Sequence, residues 1–239
     1  MNSALGENAV GGVGNVATSV KVLNNTPEKL LDDLKDTIRK GSKVSIAAAC
    51  FSIYAYQALQ KELEGVEEFR FLYTAPSFVD DSAEGLGDRE KQRKEFYIPK
   101  FSGESGLYGT EFEIKLRNEL TQRGIARECA AWIRKKAKFK ANAGDGRFNG
   151  SMTIESSLST TVYPSLQEFT TVDLGAERGN RLVENIVRME EEAGQETEVT
   201  KSVVRNFESL WNDRGRMQDV TEAVIQRINS VYEENAPEF

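Results

Sequence analysis

The densest group of cationic side chains lies between Arg134 and Arg147, where a predicted helix ends and a predicted strand begins. In a strand, Lys138 and Lys140 share one face while Phe139 points to the other. Such a row beside a basic helix end can contact successive phosphates of a nucleic-acid backbone. The helix dipole also favours cations at a helix C-terminus, so a solvated surface is the alternative interpretation. The candidate phosphate-binding residues are Arg134, Lys135, Lys136, Lys138, Lys140 and Arg147.

A second polar segment follows a predicted strand over residues 169–172 and precedes a predicted helix. Polar groups at the C-terminal end of a strand commonly line binding sites in α/β proteins, and a helix start attracts anions. The alternative is a capping turn held by local hydrogen bonds. The candidate residues of this turn are Thr170, Thr171, Asp173, Glu177, Arg178 and Asn180.

The chain contains no histidine. Histidine is the usual general base near neutral pH and the commonest metal ligand, so histidine-dependent triads, zinc sites and nucleophiles are excluded within this chain. We therefore predict no catalytic residue and no metal site, and a binding or scaffolding role is favoured. Cys50 and Cys129 lie among small apolar residues, which predicts buried free thiols in a reducing cytoplasm.

Composition is typical of a globular protein of one domain plus tails. The 239 residues are 39% hydrophobic and 29% charged, with a formal charge of −7. That charge argues against a protein that coats nucleic acid over its whole surface. No apolar run approaches the ~20 residues of a membrane span, and no signal pattern opens the chain. We expect a cytoplasmic protein with no membrane partner.

Helical and strand patterns alternate in the first part of the chain. Helices are predicted over 27–38 and 53–63, and buried strands over 43–51 and 69–74. This alternation predicts right-handed crossovers and an α/β sheet covered by helices on both faces.

The later segments predict one long surface loop, then a mixture of helices and short strands. Residues 1–20 are predicted to be a flexible leader, and residues 75–109 a loop over the surface. The last two helices are expected to form a separate or semi-detached hairpin, the second capped at Asp219. The predicted helices are 110–133, with a break at Gly124, 178–192, 199–211 and 220–234, and the predicted strands are 137–141, 148–155, 161–163 and 169–172.

Several long phrases resemble one known family. They include GSKVSIAAACFSIYAYQALQKEL, FRFLYTAPSF, LYGTEFEIKLRNELTQRGIARECAAWIRKKAKFKAN and FTTVDLGAERGN. These phrases resemble the N-terminal phospholipase D-like domain of bacterial DEAD/DEAH-type (superfamily 2) DNA helicases. The closing FESLWNDRGRMQDVTEAVIQRINSVYEENAPEF resembles the helical linker into the helicase core.

The resemblance implies a phospholipase D-like α/β domain, a mixed sheet flanked by helices, over residues 21–195. It implies a helical linker over 196–239 that leads toward a helicase core outside this sequence. DNA and the C-terminal helicase domains of the same chain would be the partners. No cofactor is expected for this fragment, whereas ATP and Mg²⁺ are expected for a full-length ATP-dependent helicase.

Phospholipase D-like enzymes carry a His-x-Lys pair on a strand and a polar turn with a carboxylate. The best register places the strand at 148–154, with Gly150 at the position of the histidine nucleophile and Met152 at that of the lysine. The segment FTTVDLGAERGN takes the place of the later turn. The usual phosphohistidine route is therefore expected to be absent.

Three functions remain open from the sequence. The first is a non-catalytic accessory module that binds or positions DNA for a helicase or translocase. The second is a metal-dependent nuclease that uses Asp173 and Glu177 with Mg²⁺. The third is a protein-interaction or dimerisation module. Because phospholipase D-type sites are built from two motif copies, a twofold dimer pairing the 169–180 turns is also possible.

Overall fold

The computed structural model of the protein describes residues 18–74, 119–143, 148–177 and 185–233. The helices are α1 (Leu30–Thr37), α2 (Ile53–Ala58), α3 (Gln60–Glu64), α4 (Glu119–Lys136), α5 (Glu198–Trp211) and α6 (Thr221–Glu233). The strands are β1 (Ser19–Leu23), β2 (Lys43–Ala48), β3 (Glu68–Tyr73), β4 (Ala137–Asn142), β5 (Ser151–Glu155), β6 (Ser159–Tyr163), β7 (Ile186–Glu192) and β8 (Met217–Asp219).

The strands form one mixed sheet in the order β1-β7-β6-β5-β2-β3-β4-β8. Strands β2, β3 and β4 are parallel neighbours, and the other pairs are antiparallel. Parallel neighbours need a crossover connection, and α2 and α3 supply the one between β2 and β3. The predicted mixed sheet flanked by helices is confirmed.

The first face of the sheet carries the larger core, which includes residues of α1, α2, α4 and α6. Its centre is the fully buried ring of Phe51, which lies just after β2. The rings of Phe69, Phe71, Phe139 and Phe169 surround it, with centroids 5.0–6.4 Å away. Edge-to-face aromatic pairs add stability beyond the area they bury. Cys50 and Cys129 are both buried, as predicted, and they do not form a disulfide bond.

The second face is covered by α5. Phe207 and Trp211 of this helix pack on Ala47, Leu72 and Met217 in a smaller core. Because α5 begins beside β7 and ends over β4, it crosses the middle of the sheet. Helix α5 therefore forms one side of any site on the second face.

The predicted hairpin of the last two helices is wrong. Helix α5 packs on the second face, whereas Val224, Ile225 and Ile228 of α6 enter the core of the first face. Strand β8 lies between the two helices and extends the sheet by pairing with β4. Each helix covers a different face of the sheet, so the two helices do not pack against each other as a hairpin. The predicted cap of α6 is present, since Asp219 Oδ1 accepts a hydrogen bond from the Thr221 N–H at 2.9 Å.

The helix predicted over 178–192 is also wrong where the structure describes it, because residues 186–192 form strand β7. Two flanking strands satisfy its backbone, with β6 on one side and β1 on the other. Ile186 and Arg188 face the first core while Val187 and Met189 face the other side, and this alternation is that of a strand.

Four smaller predictions need revision or lie outside the described ranges. Strand β1 starts at Ser19, inside the predicted leader, whose residues 1–17 are outside the described residues. Helix α4 continues through Gly124 without a break. The predicted strand 169–172 is reduced to a single bridge between Phe169 and Phe51, followed by a turn. The predicted 75–109 loop lies outside the described residues.

Glu191 of β7 anchors the start of α5. Its buried carboxylate accepts hydrogen bonds from the Thr197 N–H at 2.7 Å, the Thr197 hydroxyl at 2.9 Å and the Thr18 hydroxyl at 3.0 Å. Burial by itself raises the pKa of Glu191, but the hydrogen bonds from Thr197 and Thr18 outweigh it and hold the pKa below its usual range. The folded state is therefore stabilised by the charged form of this side chain.

We expect Glu191→Gln to lower the free energy of unfolding by about 2 kcal/mol at pH 7, since hydrogen bonds to a charged group contribute about 1.5–3 kcal/mol. Because the folded pKa is depressed, this contribution is present above the unfolded pKa of about 4.3 and is lost as pH falls through the folded pKa. Urea unfolding of both proteins between pH 7 and pH 3 should show the difference shrink on acidification. Glu192→Gln, at the exposed neighbour, is the control, and an equal effect of both substitutions would contradict the role of Glu191.

Candidate functional site

A cleft of about 440 Å³ lies between the tips of β2 and β5 and the side of α5. Ala47 of β2 and Ser151 of β5 are register partners there. From this pair the sheet runs through β3 and β4 in one direction and through β6, β7 and β1 in the other. The cleft therefore sits at the C-terminal end of β2 where the strand order reverses, which is where α/β sheets commonly bind ligands.

Backbone atoms form the floor of this cleft at Gly150. A Cβ at this position would stand 1.6 Å from the Leu166 carbonyl oxygen and 2.9 Å from that of Ala47. The same approach brings the Leu166 N–H to the Gly150 carbonyl at 3.3 Å. Only glycine fits between the two carbonyls, so residue 150 cannot carry a side chain in this fold.

The two positions that the family resemblance gives to catalytic groups are therefore closed to them. Gly150 has no room for an imidazole, and Met152 is a fully buried member of the first-face core. A lysine at position 152 would bury its ammonium among apolar side chains, which is strongly unfavourable without a partner.

The described residues that line the cleft all have neutral side chains. The sheet side contributes Ala47, Phe148, Asn149, Gly150, Ser151 and Pro164. Helix α5 contributes Val203, Asn206, Phe207, Ser209 and Leu210. The described part of the lining contains amides, hydroxyls and apolar groups, and none of its described residues is ionisable.

The basic residues of the sequence prediction do not form one surface. Arg134 and Lys135 are exposed on α4, which packs on the first face. Lys136 is half-buried, and its Nζ donates a hydrogen bond to the Val66 carbonyl at 2.8 Å.

The two lysines of β4 point to the opposite face of the sheet, since Phe139 between them lies in the first core. Lys138 is exposed. The Nζ of Lys140 donates to the Trp211 carbonyl at 2.7 Å and lies 4.7 Å from the centroid of the Trp211 ring. Lys140 thus caps the C-terminal end of α5, where a cation is favoured by the helix dipole. The sixth candidate, Arg147, lies outside the described residues.

The polar turn is held by local side-chain hydrogen bonds. Thr170, Thr171 and Asp173 are buried, with exposed fractions of 0%, 1% and 2%. The Thr170 hydroxyl donates to Asp173 Oδ2 at 2.9 Å, and the Thr171 hydroxyl donates to Glu177 Oε2 at 3.0 Å. None of these four residues lines the cleft. Arg178 and Asn180 lie outside the described residues.

Two further findings bear on metals and membranes. Within the described ranges no three carboxylates or thiols are grouped as metal ligands would be, and Asp173 and Glu177 are no exception. None of the helices in those ranges combines the length and apolar character that a membrane span requires.

Arg70 at the centre of β3 is a buried charged residue that the sequence analysis did not single out. It is 9% exposed, and its guanidinium donates to Ser45 Oγ at 2.8 Å and to Glu208 Oε1 at 2.6 Å. The guanidinium also stacks on the aromatic rings of Phe207 at 5.1 Å and Trp211 at 5.6 Å. The available signal was a single arginine inside the apolar strand FRFLY.

Glu155 lies near this arginine on the second face. Burial raises the pKa of Glu155, and the nearby Glu208 carboxylate adds to the effect, while Arg70 and Lys43 oppose it. Arg70 and Glu208 form an ion pair, and neither they nor Glu155 belong to the described cleft lining.

No protein-family model matches the chain, and no curated protein matches it. Seven chains of solved structures do. One is the phosphatidylserine synthase of Haemophilus influenzae Rd KW20, with a TM-score of 0.45 and 11% sequence identity. That match covers 91% of this chain and 46% of the synthase, so this chain spans about half of its length. A likeness at this TM-score and identity assigns no activity to the chain.

We expect Gly150→Ala to lower the free energy of unfolding by at least about 2 kcal/mol, since overpacking costs about 1–3 kcal/mol and the clash here is with backbone. Gly124→Ala is the matched control, because nothing lies within 4 Å of a Cβ at that position in α4. Alanine is the better helix former, so the control should gain up to about 1 kcal/mol. Urea unfolding measures both, and a neutral Gly150→Ala would contradict the close approach of the two carbonyls.

Proposed function

We propose that this chain is a non-catalytic phospholipase D-like module that contacts nucleic-acid backbone and positions it for an ATP-dependent motor of the same protein. The observation that carries the proposal is Gly150, where the approach of two carbonyls leaves no space for a nucleophile. The motor and the nucleic acid are proposed from the resemblance of the long sequence phrases to helicase-linked domains. ATP and Mg²⁺ would belong to that motor.

In this proposal, the exposed cations of the basic segment contact the nucleic-acid backbone. Arg134 and Lys135 on α4 and Lys138 on β4 are available to phosphates, whereas Lys136 and Lys140 are engaged by carbonyl groups of the chain itself. Two or three contacts give weak, sequence-independent and salt-sensitive binding. Such binding is appropriate to a module that guides a strand for a motor.

A second candidate, an interaction module, is favoured by the edge strand β1. Val20 and Val22 are 61% and 49% exposed there, and exposed apolar edges attract partners. The dimer imagined through the 169–180 turn is less favourable, because Thr170, Thr171 and Asp173 are already buried within the chain. Sedimentation velocity with Val20→Lys as the variant tests this candidate, and association that this change leaves unaltered would contradict it.

The triple variant Arg134→Ala, Lys135→Ala, Lys138→Ala tests the backbone contact. We expect weaker binding to all DNA sequences and a log-log salt slope reduced by about 2–3, since each lost phosphate contact removes about 0.7–0.9. Fluorescence anisotropy with labelled single- and double-stranded DNA between 25 and ~200 mM salt measures it.

The matched control removes the same charge elsewhere, through Lys35→Ala, Lys61→Ala and Arg214→Ala, which are exposed cations on α1, α3 and the loop after α5. Its slope should stay near that of the parent chain. If the two triple variants lose affinity equally, the effect is one of net charge and the proposed contact is wrong.

A further inference from the structure

Four polar side chains in the cleft have unused hydrogen-bonding capacity. Asn149 and Ser151 come from the β5 side, and Asn206 and Ser209 come from α5. Among the described residues, no side-chain hydrogen bond joins any of these four to another residue. Each amide supplies donors and an acceptor, and each hydroxyl supplies both. The cleft therefore offers hydrogen-bond donors and acceptors from both of its sides.

The lining would be a poor site for an anion. None of its described residues carries a charge. Two cations on the same face of the sheet are committed elsewhere, with Arg70 on Glu208 and Lys140 on the Trp211 carbonyl. A phosphate placed in the cleft would give up its water without gaining a counter-ion.

The remaining described lining is apolar. The half-buried Phe148 and the side chains of Val203 and Leu210 border the same cleft, and Gly150 adds no side chain to it. The volume of about 440 Å³ lies at the small end of the range of about 300–1,000 Å³ for ligand sites.

We propose that this cleft binds an uncharged nucleobase, either as a free nucleoside or as an unpaired base of a single strand. A base has two apolar faces for Phe148 and the aliphatic wall, and a rim of donors and acceptors for Asn149 and Asn206. Asparagine is the side chain that pairs with adenine through both a donor and an acceptor. The inference is independent of the proposed backbone contact, because a free nucleoside carries no phosphate.

Calorimetric titration of the full chain with adenosine, guanosine, cytidine and thymidine tests the proposal. We expect saturable binding of at least one nucleoside, unchanged between 50 mM and ~300 mM salt because the ligand is uncharged. Its 5′-monophosphate should bind no more tightly than the nucleoside. A monophosphate that binds tenfold more tightly would overturn the neutral site, and so would the absence of saturable binding by all four nucleosides.

Variants locate the binding in the cleft. Asn206→Leu keeps the size of the exposed side chain but removes its donors and acceptor, and Phe148→Ala removes the ring; each should weaken nucleoside binding at least tenfold. Ser202→Ala, at an exposed position of α5 outside the lining, should have no effect. Side-chain amide NMR signals of Asn149 and Asn206 should shift with ligand, and melting temperatures verify that each variant is folded. Equal affinity of Asn206→Leu and Ser202→Ala would place the ligand elsewhere and overturn the proposal.

Oligonucleotides separate the two sources of the base. A single strand with one abasic position should lose affinity in the parent chain but not in Asn206→Leu if the cleft takes bases from a strand. If nucleosides bind and the abasic position has no effect, the cleft serves a free nucleoside. The triple cation variant should leave nucleoside affinity unchanged, so failure of the backbone contact and failure of the cleft are distinguishable.

Discussion

The attachment of α5 to the sheet is the interaction on which the second face depends. Arg70 extends from the middle of β3 against two aromatic rings of α5 and forms an ion pair with Glu208 on the same helix. A buried guanidinium is stable only when its donors are satisfied, and Ser45 and Glu208 do this together. Helix α5 supplies one side of the cleft and the Trp211 carbonyl that accepts a hydrogen bond from Lys140. The cleft and this hydrogen bond therefore both depend on the attachment of α5 to the sheet.

The basic segment illustrates how packing changes the meaning of a sequence pattern. Six cations within fourteen residues look like one surface when read along the chain. The helix that carries Arg134 and Lys135 lies on one face of the sheet, while the strand turns Lys138 and Lys140 to the other. Two of the six cations, Lys136 and Lys140, donate hydrogen bonds to backbone carbonyl groups. Fewer exposed cations are then left to contact a partner.

Elements with a clear period were predictable from sequence, and those decided by neighbours were not. Strands β2 and β3 and helices α5 and α6 appear close to their expected bounds, because their apolar residues alone define a face. Strand β7 was not predicted because its run of glutamates is typical of the exposed face of a helix. Its pairing with β1 and β6 makes it a strand. The cleft was not predictable either, since Asn149 and Asn206 are 57 positions apart and meet only through the fold.

The position of β8 has a thermodynamic consequence for the whole molecule. The chain passes from one face of the sheet to the other through three residues that are hydrogen-bonded to β4, and Val220 then bonds to the Phe139 carbonyl at 2.9 Å. A helix that packed on one face alone could open as a local unit. Here α5 and α6 are both attached to β8. Loosening either helix therefore strains the hydrogen bonds between β8 and β4 that hold the other helix in place. The two cores are thereby joined into one cooperative unit, and slow amide exchange in α6 should report on the integrity of the cleft on the far side of the sheet.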